Sequence, residues 1–319
     1  MTAPRLLVVT KTTSYQTYVE QLKDPRTTAL LARNDPTVAR VVRSHTDHEA
    51  TVREVFQAIE ELGAVALAPT HAGEPVGNPP DLVVTIGGDG TLLSASHEVS
   101  ESIPILGVNS APDHSVGFFC GARKGSVEAA LASALAGTMP RTVVSRMQVD
   151  LNDVTISRRV LNDALLCHEI PAATSRYILE VYPGDGSRLE EEQKSSGVWI
   201  GPAAGSTSAQ KSAGGHILPL TSHRIQYVVR EPYTPRGEPL SLWRGTIDEG
   251  GTIVLRSKMR QAKLFLDGPH VVHAVGLGDV VTLRRSTETL TVLGLARTGD
   301  AAGRPSKPPS RPGAGRRKA

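Results

Sequence analysis

Cysteine is nearly absent from this chain. Only Cys120 and Cys167 occur in 319 residues, too few for the disulfide framework of a small secreted domain, so a reducing cytoplasmic setting is expected. Aromatic residues are scarce, at 4%, in a composition otherwise ordinary for a soluble globular protein. No apolar run approaches the roughly 18 residues that a membrane span requires, so no membrane partner is expected. The opening Met-Thr-Ala-Pro-Arg-Leu-Leu-Val-Val-Thr passes directly into a strand-like run. It has neither an apolar signal core nor an Arg/Ser-rich leader, and no targeting peptide is expected. Acids are missing from residues 303–319, which hold Arg304, Lys307, Arg311, Arg316, Arg317 and Lys318. The net charge is +3, so without those cations the remaining chain is mildly acidic. A nucleic-acid-binding fold usually shows the opposite sign, and nucleic acid is not an expected partner. There is no repeat at a solenoid period.

What is present centres on residues 81–97. Residues 82–86 form an unbroken aliphatic and β-branched run, the pattern of a strand buried on both faces. It empties into Gly87-Gly88-Asp89-Gly90-Thr91, and residues 91–97 read as helix. Glycines at such a turn let backbone amides approach an anion, and the helix start adds a favourable dipole. A carboxylate among phosphates repels them, so Asp89 must serve some other purpose there, either holding Mg²⁺ or accepting the proton of an attacking hydroxyl. The alternative is a tight turn whose Asp caps the helix.

The length favours two domains. Residues 1–140 alternate strand and helix patterns. Strands are expected at 6–9, 65–68, 82–86 and 103–108. A helix is expected from a capping box of Thr46 and Glu49 through to Gly63, and another from Ser126 to Gly137. Residues 70–80 read as loop. This alternation predicts a doubly wound α/β domain with ligands at the strands' carboxyl ends, where Asp89 and Asn109 fall. Residues 141–298 read as mostly β and sandwich-like, with strands at 143–151, 154–161, 177–182, 198–200, 225–229, 252–256, 263–266, 280–284 and 291–295. Residues 206–213 are the exception and read as a helix start. Residues 299–319, rich in Gly, Pro, Ser, Arg and Lys, are expected to be a disordered basic tail. The pairs His45/His48 and His270/His273 have no metal-site pattern; the first is expected on a helix surface. No metal-ligating residue is assigned.

Three further segments carry chemistry: residues 107–119, beginning Gly-Val-Asn109-Ser-Ala-Pro; Leu161-Asn162-Asp163-Ala-Leu; and residues 195–215, with Gly205-Ser206-Thr207-Ser208-Ala209 at their centre. In this order and spacing they resemble the NAD kinases, which phosphorylate the adenosine ribose 2′-hydroxyl of NAD with ATP or polyphosphate. The resemblance runs from about Leu6 to Asp267-Gly268. Diacylglycerol-type and sphingosine-type lipid kinases and phosphofructokinases carry something similar to Gly-Gly-Asp-Gly-Thr, whereas its combination with the Asn-acid pair and Gly-Ser-Thr is much more specific. Gln193-Lys-Ser-Ser-Gly197 and residues 107–112 look closest to the mitochondrial-type branch.

The resemblance implies the following roles. Asp89 is the general base at the ribose hydroxyl, in a cradle made with Gly87, Gly88, Gly90 and Thr91. Asn109 stands at the end of the next strand. Asn162 hydrogen-bonds the ligand's other ribose, Asp163 touches the dinucleotide, Phe118 lies beside adenine, and Ser206, Thr207, Ser208 and Ala209 contact adenine or the nicotinamide amide. Mg²⁺ accompanies the donor, and a homodimer or homotetramer is implied by analogy. Three positions depart from the family's wording. Asp163 replaces a glutamate, Ser196 replaces an aspartate near the nicotinamide, and Ala209 replaces a stacking tyrosine. The last two changes touch base and nicotinamide recognition and not the phosphoryl-transfer apparatus, so NAD against NADH stays open. Each residue also has a structural alternative: Asn162 bonding a neighbouring loop, Asp163 as its partner, Gly205-Ser-Thr as a helix cap, Phe118 as core. The competing functions are a lipid kinase built on the same turn and a non-catalytic NAD(P)-binding regulator.

Overall fold

The computed structural model describes residues 2–68, 79–234 and 240–295. Most of the loop expected at 70–80 and the whole basic tail at 299–319 lie outside the described residues.

Five strands build the first part: β1 (Arg5–Thr10), β2 (Val65–Leu67), β3 (Leu82–Gly87), β4 (Ile105–Asn109) and β5 (Cys120–Arg123). All their pairings are parallel. Helices α1 (Pro25–Ala32), α2 (Val41–Glu61), α3 (Asp89–Ser96) and α4 (Val127–Leu135) connect them. Alternate strand residues choose the face. Leu6, Val8, Val84, Ile86 and Val108 pack with Val55, Ile59 and Leu131 of α2 and α4. Val83 and Ile105 pack with Leu92 and Leu93 of α3 on the other face. β1 lies between β2 and β3, so strand order reverses at β1. The resulting crevice opens at the carboxyl ends of β1 and β3, where an open α/β sheet receives ligands. The expected α/β architecture is observed.

The second part supplies β6 (Arg141–Leu151), β7 (Val154–Val160), β8 (Ala164–His168), β9 (Ser175–Tyr182), β10 (Leu189–Ser195), β11 (Val198–Pro202), β12 (Ile225–Val229), β13 (Arg244–Ile247), β14 (Thr252–Ser257), β15 (Ala262–Leu266), β16 (Val271–Val275) and β17 (Val280–Leu293). One sheet runs β13-β12-β11-β8-β15-β16. It packs over the antiparallel end of the larger sheet, and Leu166, Val198, Ile200 and Leu264 meet Met147, Leu179, Ile253 and Leu283 in one core. That is the sandwich the alternating pattern predicts. β17 pairs antiparallel with β6 and β14, and Val292 meets Ile105 of β4 in parallel. A single sheet therefore continues from one part into the other.

Several expectations are corrected. Residues 280–284 and 291–295 belong to one strand, because a register shift between Arg285 and Thr289 carries the polar interruption through the ladder. β10, Leu-Glu-Glu-Glu-Gln-Lys-Ser, is too polar to read as a strand; pairing with β9 and ion pairs such as Lys258–Glu192 hold it. Thr46 and Glu49 form no capping box. α2 starts at Val41, and Thr46 Oγ1 donates back to Val42 O at 3.1 Å. Ser126 holds the N-cap position of α4, but its side chain does not cap. Glu54 of α2 accepts Gly125 N and Val127 N instead. His48 is fully buried, not on a helix surface. The helix expected at 206–213 is a 3₁₀ turn over Ala203–Thr207 followed by the short α5 (Ala209–Ser212).

The glycine-turn helix is fixed from the second part. Arg146 of β6 has 0% exposure, and its guanidinium donates to Ser96 O at 3.2 Å and Val99 O at 2.9 Å. A cation at the carbonyl end of α3 suits the helix dipole. Arg146→Met keeps most of the bulk and strands both carbonyls. It is expected to cost about 3–6 kcal/mol, since each of the two bonds to a charged group contributes about 1.5–3, and a denaturant midpoint equal to wild type would refute that clamp.

Candidate functional site

The turn after β3 is shaped by contacts that glycine alone permits. A Cβ on Gly87 would overlap the Thr91 side chain, and one on Gly88 would come within 2.6 Å of Ser115 Oγ. At Gly90 nothing lies within 4 Å of a Cβ position, so that residue faces open space. Asp89 begins α3 and is half-buried. Its Oδ1 accepts Phe119 N at 2.8 Å and its Oδ2 accepts Phe118 N at 3.0 Å. The carboxylate is thereby held by amides of the loop that follows β4. Asn109 orders that loop: its Nδ2 donates to Ser115 O at 3.1 Å and its Oδ1 accepts Ala111 N at 3.2 Å. Gly117, at φ +62°, packs directly on the Asn109 side chain. The Phe118 ring stands edge-on to Phe119 and packs against the core around α3.

Asn162 and Asp163 form the turn into β8. Asn162 Nδ2 donates to Asp163 Oδ2 at 2.9 Å and to Ser208 Oγ at 3.1 Å. A Cβ at Gly205 would overlap Asn162 O, so that glycine admits the turn. Asp163 is buried, and burial together with the nearby Asp267 charge pushes its carboxyl up to about 7, against the opposing Ser208 hydrogen bond. Asp267, at the end of β15, is the residue that orders this corner. Its carboxylate accepts Leu161 N at 2.8 Å, Asn162 N at 2.7 Å and Asp163 N at 3.0 Å. His97 Nε2 lies 3.0 Å from Asp267 Oδ2, out of line for a hydrogen bond, so the contact is electrostatic when the ring is protonated. The sequence offered little signal for Asp267 beyond a turn-forming Asp-Gly pair at the close of the resemblance, and none for His97.

A cleft of about 320 Å³ separates α3 from the β15–β16 turn. Gly90, Asn162 and Asp163 line it, with His97 and Asp267. Asp89, Asn109 and Phe118 do not line it; Asp89 adjoins it through Gly90 and is tied to the loop that carries Phe118. Thr207, Ser208 and Ala209 are half-buried, and Ser208 reaches Asn162. Ser206 is fully buried; its hydroxyl donates to Ala203 O at 2.7 Å and accepts Leu218 N at 3.0 Å, so the side chain holds the turn itself. Ser196 lines a separate cleft of about 380 Å³ with Cys167, Arg230 and Phe265.

Residues 14–138 match the family described as the ATP-NAD kinase N-terminal domain. A probable NADH kinase of Oryza sativa subsp. japonica is 36% identical over 230 residues, covering 67% of this chain and 70% of that protein. An NAD kinase of Geobacter sulfurreducens is 31% identical over 253 residues, covering 75% and 85% respectively. The solved yeast NADH kinase complexed with NADH superposes with a TM-score of 0.68 at 16% identity, covering 94% of this chain and 86% of that one. An Archaeoglobus fulgidus NAD kinase in complex with ATP superposes at 0.63 and 19%, covering 92% and 94%. A parallel sheet emptying into a glycine turn, fused to a β sandwich, is thus a kinase fold. The chain belongs to the NAD kinase family.

Asp163 sets a pH signature. Its folded carboxyl keeps a proton to about pH 7, above the unfolded value, so its stabilising contribution is complete at low pH and is lost as pH rises through about 7. Asp163→Asn is expected to shrink the loss of urea stability between about pH 5 and about pH 8. An equally steep loss in the variant would assign the effect elsewhere.

Proposed function

We infer that this protein transfers a phosphoryl group from ATP or polyphosphate to the adenosine ribose 2′-hydroxyl of NAD or NADH. The observation that carries this reading is the placement of the Asp89 turn beside a cleft that Gly90 shares with Asn162 and Asp163. Phosphoryl transfer asks for alignment and charge stabilisation more than covalent help. The amides of Phe118 and Phe119 fix the orientation of Asp89, and each carboxylate oxygen keeps a lone pair for a hydroxyl proton. The ribose oxygen then bonds to phosphorus while the bond from phosphorus to the donor's bridging oxygen breaks. Asp89 receives the proton, and the shortened donor leaves with the electron pair. Asn162, whose amide is already oriented by Asp163 and Ser208, would hold the acceptor's second ribose.

Among the described residues no group of three His, Cys, Asp or Glu side chains could hold a metal ion. Mg²⁺ would therefore ride on the donor's phosphates, the usual arrangement for that ion, with Asp89 the nearest protein carboxylate to the turn. Bound there, it would neutralise charge on the transferring group. The relatives named NADH kinases support the reduced dinucleotide as an acceptor. Ser196 in place of an acid agrees with relaxed nicotinamide recognition. The lipid-kinase reading is set aside, because the matched relatives are NAD and NADH kinases. The idle-regulator reading has no support beside an intact Gly87–Thr91 turn. A cytoplasmic homodimer or homotetramer completes the proposal; it is supported by low cysteine content and by family analogy.

Asp89→Asn is expected to lower turnover by at least about two orders of magnitude while dinucleotide binding persists. Product formation should be followed with NAD and NADH, each paired with ATP and with polyphosphate. Near-wild-type turnover in the variant would remove Asp89 from the mechanism.

A further inference from the structure

The carboxyl end of β1 carries basic side chains that the proposed reaction has so far left unused. Thr10 pairs with Ile86, and Lys11 N donates to Ile86 O at 3.1 Å, which sets Lys11 alongside Gly87 at the mouth of the crevice. Lys11 is half-buried, and burial lowers the pKa of its ammonium. Among the described residues its side chain has no hydrogen bond and no ion pair, and acids of the segment after β1, of α2 and of the loop after β4 are engaged elsewhere. Glu49 accepts from Gln16 Nε2 at 3.2 Å, and Glu20 lies 3.9 Å from His45. Asp47 binds Lys124 at 2.6 Å, and Asp113 faces Arg43 at 3.8 Å.

Two imidazoles extend the cluster toward the glycine turn. His48 Nδ1 lies 3.0 Å from Ser110 Oγ, and Ser110 N donates to Gly87 O at 2.9 Å. Burial, and then the Lys11 charge, hold His48 neutral to about 4. His114, on the loop after β4, has a buried Nε2 with no partner among the described residues. A half-buried cation without a counter-charge is unfavourable in the empty protein. At this place in an open α/β sheet the missing charge is one that a ligand brings. The proposed reaction consumes a polyanion, whose phosphates must lie along this same turn.

We propose that Lys11 is a binding residue for the phosphate chain of the donor, holding a phosphoryl group beyond the one transferred, on the β1 side of the glycine turn. His114, whose buried Nε2 has no partner among the described residues, stands on the loop beside the same turn. The proposal rests on the phosphoryl-transfer reading for its ligand and adds the residue that neutralises it.

The test uses the full chain as wild type, Lys11→Met, Lys11→Gln and Lys11→Arg. Inorganic tripolyphosphate is the binding probe in thermal melts without dinucleotide, and ATP and tripolyphosphate are the donors in assays. A ligand that binds only the folded state raises its melting temperature. Tripolyphosphate should raise the wild-type and Lys11→Arg midpoints and leave the Met and Gln variants unmoved. In assays the Met and Gln variants should show a donor KM raised by at least about tenfold with dinucleotide KM within about twofold, the scale of one lost charge-assisted contact. Because the ammonium is uncompensated, the ligand-free Met variant should melt no lower than wild type. An undiminished tripolyphosphate shift or an unchanged donor KM in both neutral variants would overturn the proposal, as would a wild-type midpoint that tripolyphosphate does not raise. If tripolyphosphate binds through Lys11 but no donor phosphorylates a dinucleotide, the kinase reading falls and the anion site stands.

Discussion

The carboxylate of Asp267 is the contact on which the arrangement of the cleft depends. It takes the amides of Leu161, Asn162 and Asp163, three consecutive donors that would otherwise be unpaired at a turn between strands. Asp267 N returns a bond to Asp163 O at 2.8 Å, so the two segments are locked in both directions. Asp163, beside it and buried, is pushed toward the protonated form by burial and then by the Asp267 charge. The result is a rigid Asn162 whose amide faces the cleft.

The two halves of the chain are joined at that cleft by more than a linker. β17 enters the parallel sheet at Ile105, one strand away from the glycine turn. Arg146 holds the far end of α3, and His97, just past that end, approaches Asp267. The helix that carries Asp89 is therefore held at its start by the loop amides and at its end by the β half. A helix of 8 residues has little stability of its own in water. Its position is set by tertiary contacts at both ends, and those contacts also fix the width of the cleft.

Much of this was legible in the sequence, where short-range chemistry decides structure. The run at 82–86, the glycine string and the helix after it form one local unit, and the observed β3–turn–α3 follows it closely. What escaped depends on partners distant in sequence. Glu54 replaces Ser126 as the acceptor at the start of α4 from across the fold. β10 is stabilised by its ladder with β9 despite its three consecutive glutamates. His48 is buried where α2 packs it onto Ser110, 62 positions away just past β4. At the site, glycines and Asp89 were readable as a cradle, and Asn162-Asp163 as an odd polar pair inside a strand pattern. Asp267 was not: its role is to accept amides more than a hundred positions away, and no local spacing records that.

The charges around the glycine turn sort in a way that gives the site polarity. Acids gather toward the sandwich, where Asp163 and Asp267 face the cleft beside Gly90. Bases gather toward β1 and α2, where Lys11 and His48 adjoin Gly87 and Ser110. Asp89 stands at the junction, with both oxygens tied to loop amides. A sugar hydroxyl approaching from the acidic side meets carboxyl oxygens, whereas a phosphate chain there meets the Asp267 charge. On the basic side the preference reverses, because an anion gains the uncompensated ammonium and the turn's amides. Under the proposed reaction, such a gradient would orient donor and acceptor along the turn. Of the positions that depart from the family's wording, Ser196 lines a separate cleft, away from this turn.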